Sequence, residues 1–214
     1  MLFLKNIFKF ITIIPILGGC MPPCGPFDDF LYEILNIESR IVATGYDIKP
    51  EWHWHSSVTE LGDGEKAVVE RMLIEVYVSD LKKLEFTNVA RNRINIAFIS
   101  NAFACSPQAP YTKEKISSIL VTSDSDYSAE ITAGRSLNSV IQIVYNEGSE
   151  IDGKKLVSDL DQFIKNTPTA GHVLQLRLLV PPTLNSLHSL RIVLKLDSGK
   201  YFEIYTKPVT FAIV

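Results

Sequence analysis

Leu190-Arg191-Ile192-Val193-Leu194-Lys195-Leu196, Asp197-Ser198-Gly199 and Lys200-Tyr201-Phe202-Glu203-Ile204-Tyr205 form the stretch whose reading decides the fold. Apolar and polar side chains alternate on both sides of a short connection that ends in glycine. Alternation with a period of two sends one set of side chains to a buried face and the other to solvent. An Asp-Ser-Gly connection supplies the polar turn residues and the permissive backbone that close an antiparallel hairpin.

Working outward, the same signature recurs. His172 to Val180 alternates Leu174, Leu176 and Leu178 and halts at Pro181-Pro182. Val68 to Val78 sets Met72, Ile74, Val76 and Val78 on one face and Leu73, Glu75 and Tyr77 on the other. Ile41 to Tyr46, Ile94 to Ile99 and Ile116 to Thr122 read as further strands, and Leu137 to Tyr145 as a strand or a short helix. Val209 to Val214 reads as a continuation of the last strand after a break at Pro208, at a sheet edge. Lys155 to Lys165 places Leu156, Leu160, Phe163 and Ile164 at helical spacing, the one convincing helix. Short strands, turn signals and one helix predict a mainly β protein. The expected architecture is an antiparallel β-sandwich, immunoglobulin-like, with one short helix; the alternative is an α+β arrangement with the helix across one sheet.

The N-terminus carries a different kind of signal. Lys5 and Lys9 precede an apolar run, Ile11 to Leu17, interrupted by Thr12 and Pro15, and Leu17-Gly18-Gly19-Cys20 closes it. Positive charge, a short apolar core and small residues before a cysteine are the parts of a secretory leader ending in a lipobox. The run is far below the roughly 20 residues that a membrane-spanning helix needs. The expectation is a signal peptide over 1–19, acyl chains on Cys20 and a lipid-anchored tether over 20–37. Met21 to Pro26, with three prolines and a glycine, gives that tether a stiff start. Phe27 to Ile37 reads as a short helix or a docking strand, and a single domain follows over 38–214. The implied location is the bacterial cell envelope, held to the outer membrane by lipid, on its periplasmic or surface side.

Composition fits a globular domain, with 46% hydrophobic and 21% charged residues. The formal charge of −3, without a basic cluster, lacks the electrostatic footprint of a nucleic-acid binder. With Cys20 lipidated, Cys24 and Cys105 remain, either bridged or as two free thiols. A bridge closing so long a loop contributes about 4 kcal/mol in the loop-entropy picture.

Ala102-Phe103-Ala104-Cys105-Ser106-Pro107, Lys113-Glu114-Lys115-Ile116-Ser117-Ser118-Ile119, Ala133-Gly134-Arg135-Ser136-Leu137-Asn138 and the Leu194–Tyr201 hairpin together resemble a family of uncharacterised Bacteroidetes lipoproteins. The resemblance covers most of the chain beyond the leader, and its motifs are structural rather than catalytic. It implies a surface or periplasmic lipoprotein domain in which a cysteine just behind the lipidated one, here Cys24, pairs with the position of Cys105.

Candidate chemistry is sparse. Glu51-Trp52-His53-Trp54-His55 puts His53 and His55 on one face of a strand, a spacing that zinc or copper accepts with a third ligand from His172, His188, Glu60 or Asp63. The plainer reading packs Trp52 and Trp54 on a sheet with the imidazoles in water; the same tryptophans also suit a sugar ring or a protein partner. Asp124-Ser125-Asp126, with Glu130 nearby, has carboxylates at a calcium-like spacing but lacks the glycine and terminal glutamate of a calcium loop. Asx turns in a solvated loop are expected there. Gly134-Arg135-Ser136 lacks the second glycine of a nucleophile elbow. The resulting expectation is a non-catalytic domain binding an envelope protein or glycan through Trp52 to Glu60 and Ser123 to Ser136, with no cofactor. The alternative is a metal-assisted envelope hydrolase using His53 and His55.

Overall fold

In a computed structural model of the chain, the described residues are 31–45, 47–48, 58–84, 112–146 and 158–211. They belong to one compact unit drawn from residues 30–84 and 111–214. The expected leader, the expected strand Ile94–Ile99 and the start of the expected helix, Lys155 to Val157, lie outside them.

The hairpin forms as its sequence predicts. Strand β10 (Leu190–Leu196) pairs antiparallel with β11 (Tyr201–Tyr205), and Leu196 N–H donates to the Lys200 carbonyl at 2.9 Å. Gly199 takes φ +88°, a backbone conformation that a side chain at this position would strain. On its other side β10 pairs antiparallel with β5 (Ile116–Ser123), completing a sheet in the order β11-β10-β5.

A larger sheet faces the same core. It contains β1 (Tyr32–Thr44), β2 (Val58–Glu60), β4 (Met72–Lys83), β6 (Ile141–Asn146), β7 (Ser158–Asp159) and β8 (Val173–Leu178), all antiparallel, in the order β2-β1-β4-β8-β6-β7. Ile37, Ile41, Ile74, Val76, Leu174, Leu176 and Ile143 from this sheet share one buried cluster with Ile119, Val121, Leu190, Ile192, Leu194 and Ile204 from the other. Burial of such side chains stabilises by about 1.5–3 kcal/mol each. The protein is a mainly β, sandwich-like fold, with one short α-helix among the described residues, as expected.

Several boundaries differ from the sequence reading. Strand β1 begins at Tyr32, so Tyr32–Ile37 take the strand alternative expected for Phe27 to Ile37 and form part of the sheet. Its register slips around Leu35, which breaks the alternation and leaves Ile34 and Ile37 buried three residues apart. Strand β4 runs on to Lys83 because β1 pairs along it, and a 3-10 turn, Val69–Arg71, replaces its expected first residues. Leu137 to Tyr145 is a 3-10 turn, Asn138–Val140, followed by β6.

Helix α1 is Leu160–Lys165, shorter than expected, because Asp159 adopts an extended backbone and its side chain caps the Gln162 N–H at 2.7 Å. Strand β12 (Val209–Phe211) does not continue β11, nor is it an edge. It lies between β3 (Lys66–Ala67), parallel, and β9 (Leu187–His188), antiparallel. Pro208 carries no amide hydrogen for the β11 ladder, and buried Val209 and Phe211 draw the chain into the common core.

The two main sheets are joined at Ile34. Among the described residues no strand covers the outer edge of β1 there, since β2 reaches only Val42–Thr44. Two side chains take the place of one. Ile34 N–H donates to Glu114 Oε2 at 3.0 Å, and Lys200 Nζ donates to the Ile34 carbonyl at 3.2 Å. Glu114 Oε1 also accepts from Ser198 Oγ at 2.9 Å, and Lys200 pairs with Glu33 at 2.8 Å and Glu114 at 3.1 Å. Glu114→Ala strands a backbone donor and is expected to cost about 2–3 kcal/mol, as measured by chemical denaturation.

Candidate functional site

Two loops at one end of the sandwich are bonded into a single unit. The loop after β5 is held by its own acids. Asp124 Oδ1 accepts from Ser189 N–H at 2.8 Å, and Asp126 Oδ1 accepts from Ala133 N–H at 2.8 Å. These carboxylates fasten distant backbone rather than making the short Asx turns expected of them. Next in the loop, Tyr127 is buried, and its hydroxyl donates to the Val180 carbonyl. Thr183 N–H returns a bond to the Tyr127 carbonyl at 2.8 Å, and Asn185 Nδ2 donates to the Asp126 carbonyl at 3.0 Å. The residues between β8 and β10 are therefore fixed against the loop after β5.

Beneath these loops lies a pair that resembles a nucleophile and its base. Ser123 Oγ is 2.7 Å from His188 Nδ1, and His188 Nε2 is 2.7 Å from the Asn185 carbonyl oxygen. A carbonyl only accepts, so Nε2 carries the hydrogen and Nδ1 accepts from the serine hydroxyl. The third member of the row is thus an amide carbonyl and not a carboxylate. His188 is 0% exposed and Ser123 3%, with Tyr127 and Phe211 rings 5.4 and 5.6 Å from the imidazole. A substrate cannot reach this serine in such packing. The pair is a structural pin between β5 and β9. Sequence reasoning missed it because 65 residues separate its members and no local motif marks them.

The other sequence candidates are dispersed. Glu60 pairs with Lys207 at 2.8 Å. His172 borders an apolar cleft with an empty volume of about 180 Å³, lined also by Tyr32, Ile34, Val78 and Leu81. That is below the roughly 300–1,000 Å³ of a ligand pocket. His188, a candidate third metal ligand, has both ring nitrogens engaged. Among the described residues no three His, Cys, Asp or Glu side chains converge on a metal-sized space. Cys20, Cys24, Cys105, Trp52, Trp54, His53 and His55 lie outside the described residues.

No protein-family model, curated protein or solved structure matches the chain. Three features of the fold bear on function, one of them buried and two exposed.

On the outer face of the larger sheet, buried Glu75 accepts from Arg40 Nε and Gln175 Nε2, both at 2.7 Å. The Gln175 Oε1 atom, also buried, has no hydrogen-bond partner among the described residues. On the outer face of the hairpin sheet, Tyr201 and Tyr205 are exposed around Glu203. The Arg191 guanidinium and the Tyr205 hydroxyl hold the Glu203 carboxyl down at about 2.

The third feature is the segment between β8 and β10. Leu179, Val180, Leu184 and Leu187 are 48, 45, 50 and 51% exposed, although their backbone is pinned. In sequence this segment is only an uncharged run that reads as the end of a strand.

Burial raises the Tyr127 phenol well above its ordinary value. A group raised in the folded state contributes stability that is complete below the unfolded value, near 10, and is lost as pH climbs beyond it. Denaturation midpoints of the native chain should therefore fall steeply above about pH 10. Tyr127→Phe should be less stable at neutral pH and flatter across that alkaline range.

Proposed function

We propose that this protein is a lipid-tethered, non-catalytic binding domain of the bacterial cell envelope. Acyl chains on Cys20 would hold it to the outer membrane. The contact end is formed by the loop after β5 and the segment between β8 and β10. Leu17-Gly18-Gly19-Cys20 behind a basic and apolar leader supports the anchor. Several acyl chains at about 0.8 kcal/mol per buried methylene make such an attachment effectively permanent.

The observation that carries the binding reading is the exposure of four large aliphatic side chains on a backbone that hydrogen bonds hold still. A protein that needed these residues only for its own core would bury them. Grouped exposure of this kind marks a contact site. The groups with reactive character point the same way. Ser123 and His188 are sealed in the interior, and Asp124 and Asp126 spend carboxylate oxygens on backbone amides.

The anchor is tested by labelling cells with an alkyne-bearing palmitate analogue. The native chain should take up label, fractionate with outer membranes and begin at Cys20 by mass spectrometry. Cys20→Ala should lose the label and retain residues 1–19. An unlabelled, full-length native chain in the soluble fraction would overturn this part of the reading.

A further inference from the structure

From Leu178 to Leu190 the chain contains no Asp, Glu, Lys or Arg. The cations that flank this run are spoken for: Arg177 Nε donates to Gln142 at 2.8 Å, and Arg191 pairs with Glu203 at 2.7 Å. The run is therefore uncharged, its four exposed aliphatic side chains are interspersed with Thr183 and Asn185, and the cations at its two ends are paired. On one side it is bordered by acids, and on the other Lys66 shares a register row with Leu187 across Thr210. The loop bonded to it through Tyr127, Asp126 and Asp124 contributes Asp124, Asp126 and Glu130, against a single guanidinium at Arg135.

The geometry points to a protein partner that presents an apolar surface bordered by lysine or arginine, seated on Leu179, Val180, Leu184 and Leu187. The inference rests on the binding-domain reading above and names the class of partner. An apolar centre with a polar, charged rim is the anatomy of a protein–protein contact. The sign of the rim selects between occupants. An anionic lipid surface would be repelled by the three carboxylates, whereas a basic rim on a protein is attracted by them. A sugar chain is disfavoured because the segment offers it no aromatic face and few hydrogen-bonding side chains, Thr183, Asn185 and Ser186, set among the aliphatic ones.

The surface is also ready to bind without rearrangement. Leu179 N–H donates to the Val140 carbonyl at 2.9 Å, and Phe211 N–H to the Ser186 carbonyl at 2.7 Å. With the Tyr127 and Asn185 bonds, these fix the segment along its length, so little ordering entropy remains to be lost on association.

The test uses the full-length chain in intact cells, with a photo-crosslinking amino acid at position 184 or 187 and a control at Tyr201 on the hairpin face. One discrete protein adduct is expected from 184 and 187 and none from 201. Leu187→Asp should reduce the adduct formed from position 184 by at least about tenfold, the scale of a truncated central contact. Glu130→Lys should weaken binding of the purified partner and reduce its salt dependence, with the thermal melt of each variant matching the native chain.

Lipid adducts, a cross-linked second copy of this chain, or a partner indifferent to both Glu130→Lys and salt would overturn the assignment. Adducts from position 201 alone would also overturn it while leaving a binding domain in place. No adduct from any position would remove both readings.

Discussion

The edge of one strand at Ile34 is where the two main sheets become a single body. A β-strand without a neighbour exposes amide and carbonyl groups that must be satisfied or left in water. Ile34 is buried, so water is not the answer. Glu114, just before β5, and Lys200, at the end of the hairpin turn, supply an acceptor and a donor where a neighbouring strand would have had a residue. Because both residues belong to the smaller sheet or its approach, satisfying one backbone position also fixes how the hairpin meets β1. Within the smaller sheet, Asp197 exchanges bonds of 2.9 Å with Lys115, which holds the approach to β5 against the hairpin turn. The buried cluster between the sheets depends on that alignment.

The same economy governs the contact end. Acidic side chains that look free in sequence are used to set loop geometry, and Tyr127 and His188 act as internal posts from which the loops hang. Fixing the backbone from within leaves the side chains of Leu179, Val180, Leu184 and Leu187 facing out. The energy for this arrangement comes from burial of the two posts and from hydrogen bonds of 2.7–3.0 Å between loops.

Much of the fold was legible because alternation and turn chemistry agree at the hairpin, at Leu174 to Leu178 and at Met72 to Val76. Errors fell where a local pattern competes with a long-range constraint. The slip at Leu35 gives Ile34 and Ile37 a spacing of three, which reads as helix as easily as strand. Asp159 shortens the helix by a cap that periodicity alone does not weigh. The partners of β12 could not be read at all, since a strand's sequence tells which face is apolar and says nothing of its neighbours. The site was less legible still. Ser123 and His188 meet only through the fold, and an uncharged run looks the same in sequence whether it is core or surface.

The position of β12 also sets an order of events. It inserts between β3 and β9, and Thr210 Oγ1 donates to the Gly64 carbonyl across 146 residues. A polypeptide emerging N-terminus first, from a ribosome or through a membrane channel, presents β3 long before the strand that will cover it. Until Phe211 has emerged, Ala67 and the core side chains around it have no lid. Contacts of such long sequence separation form slowly, and the pairing of β3 with β12 closes only after nearly all of the chain has been made.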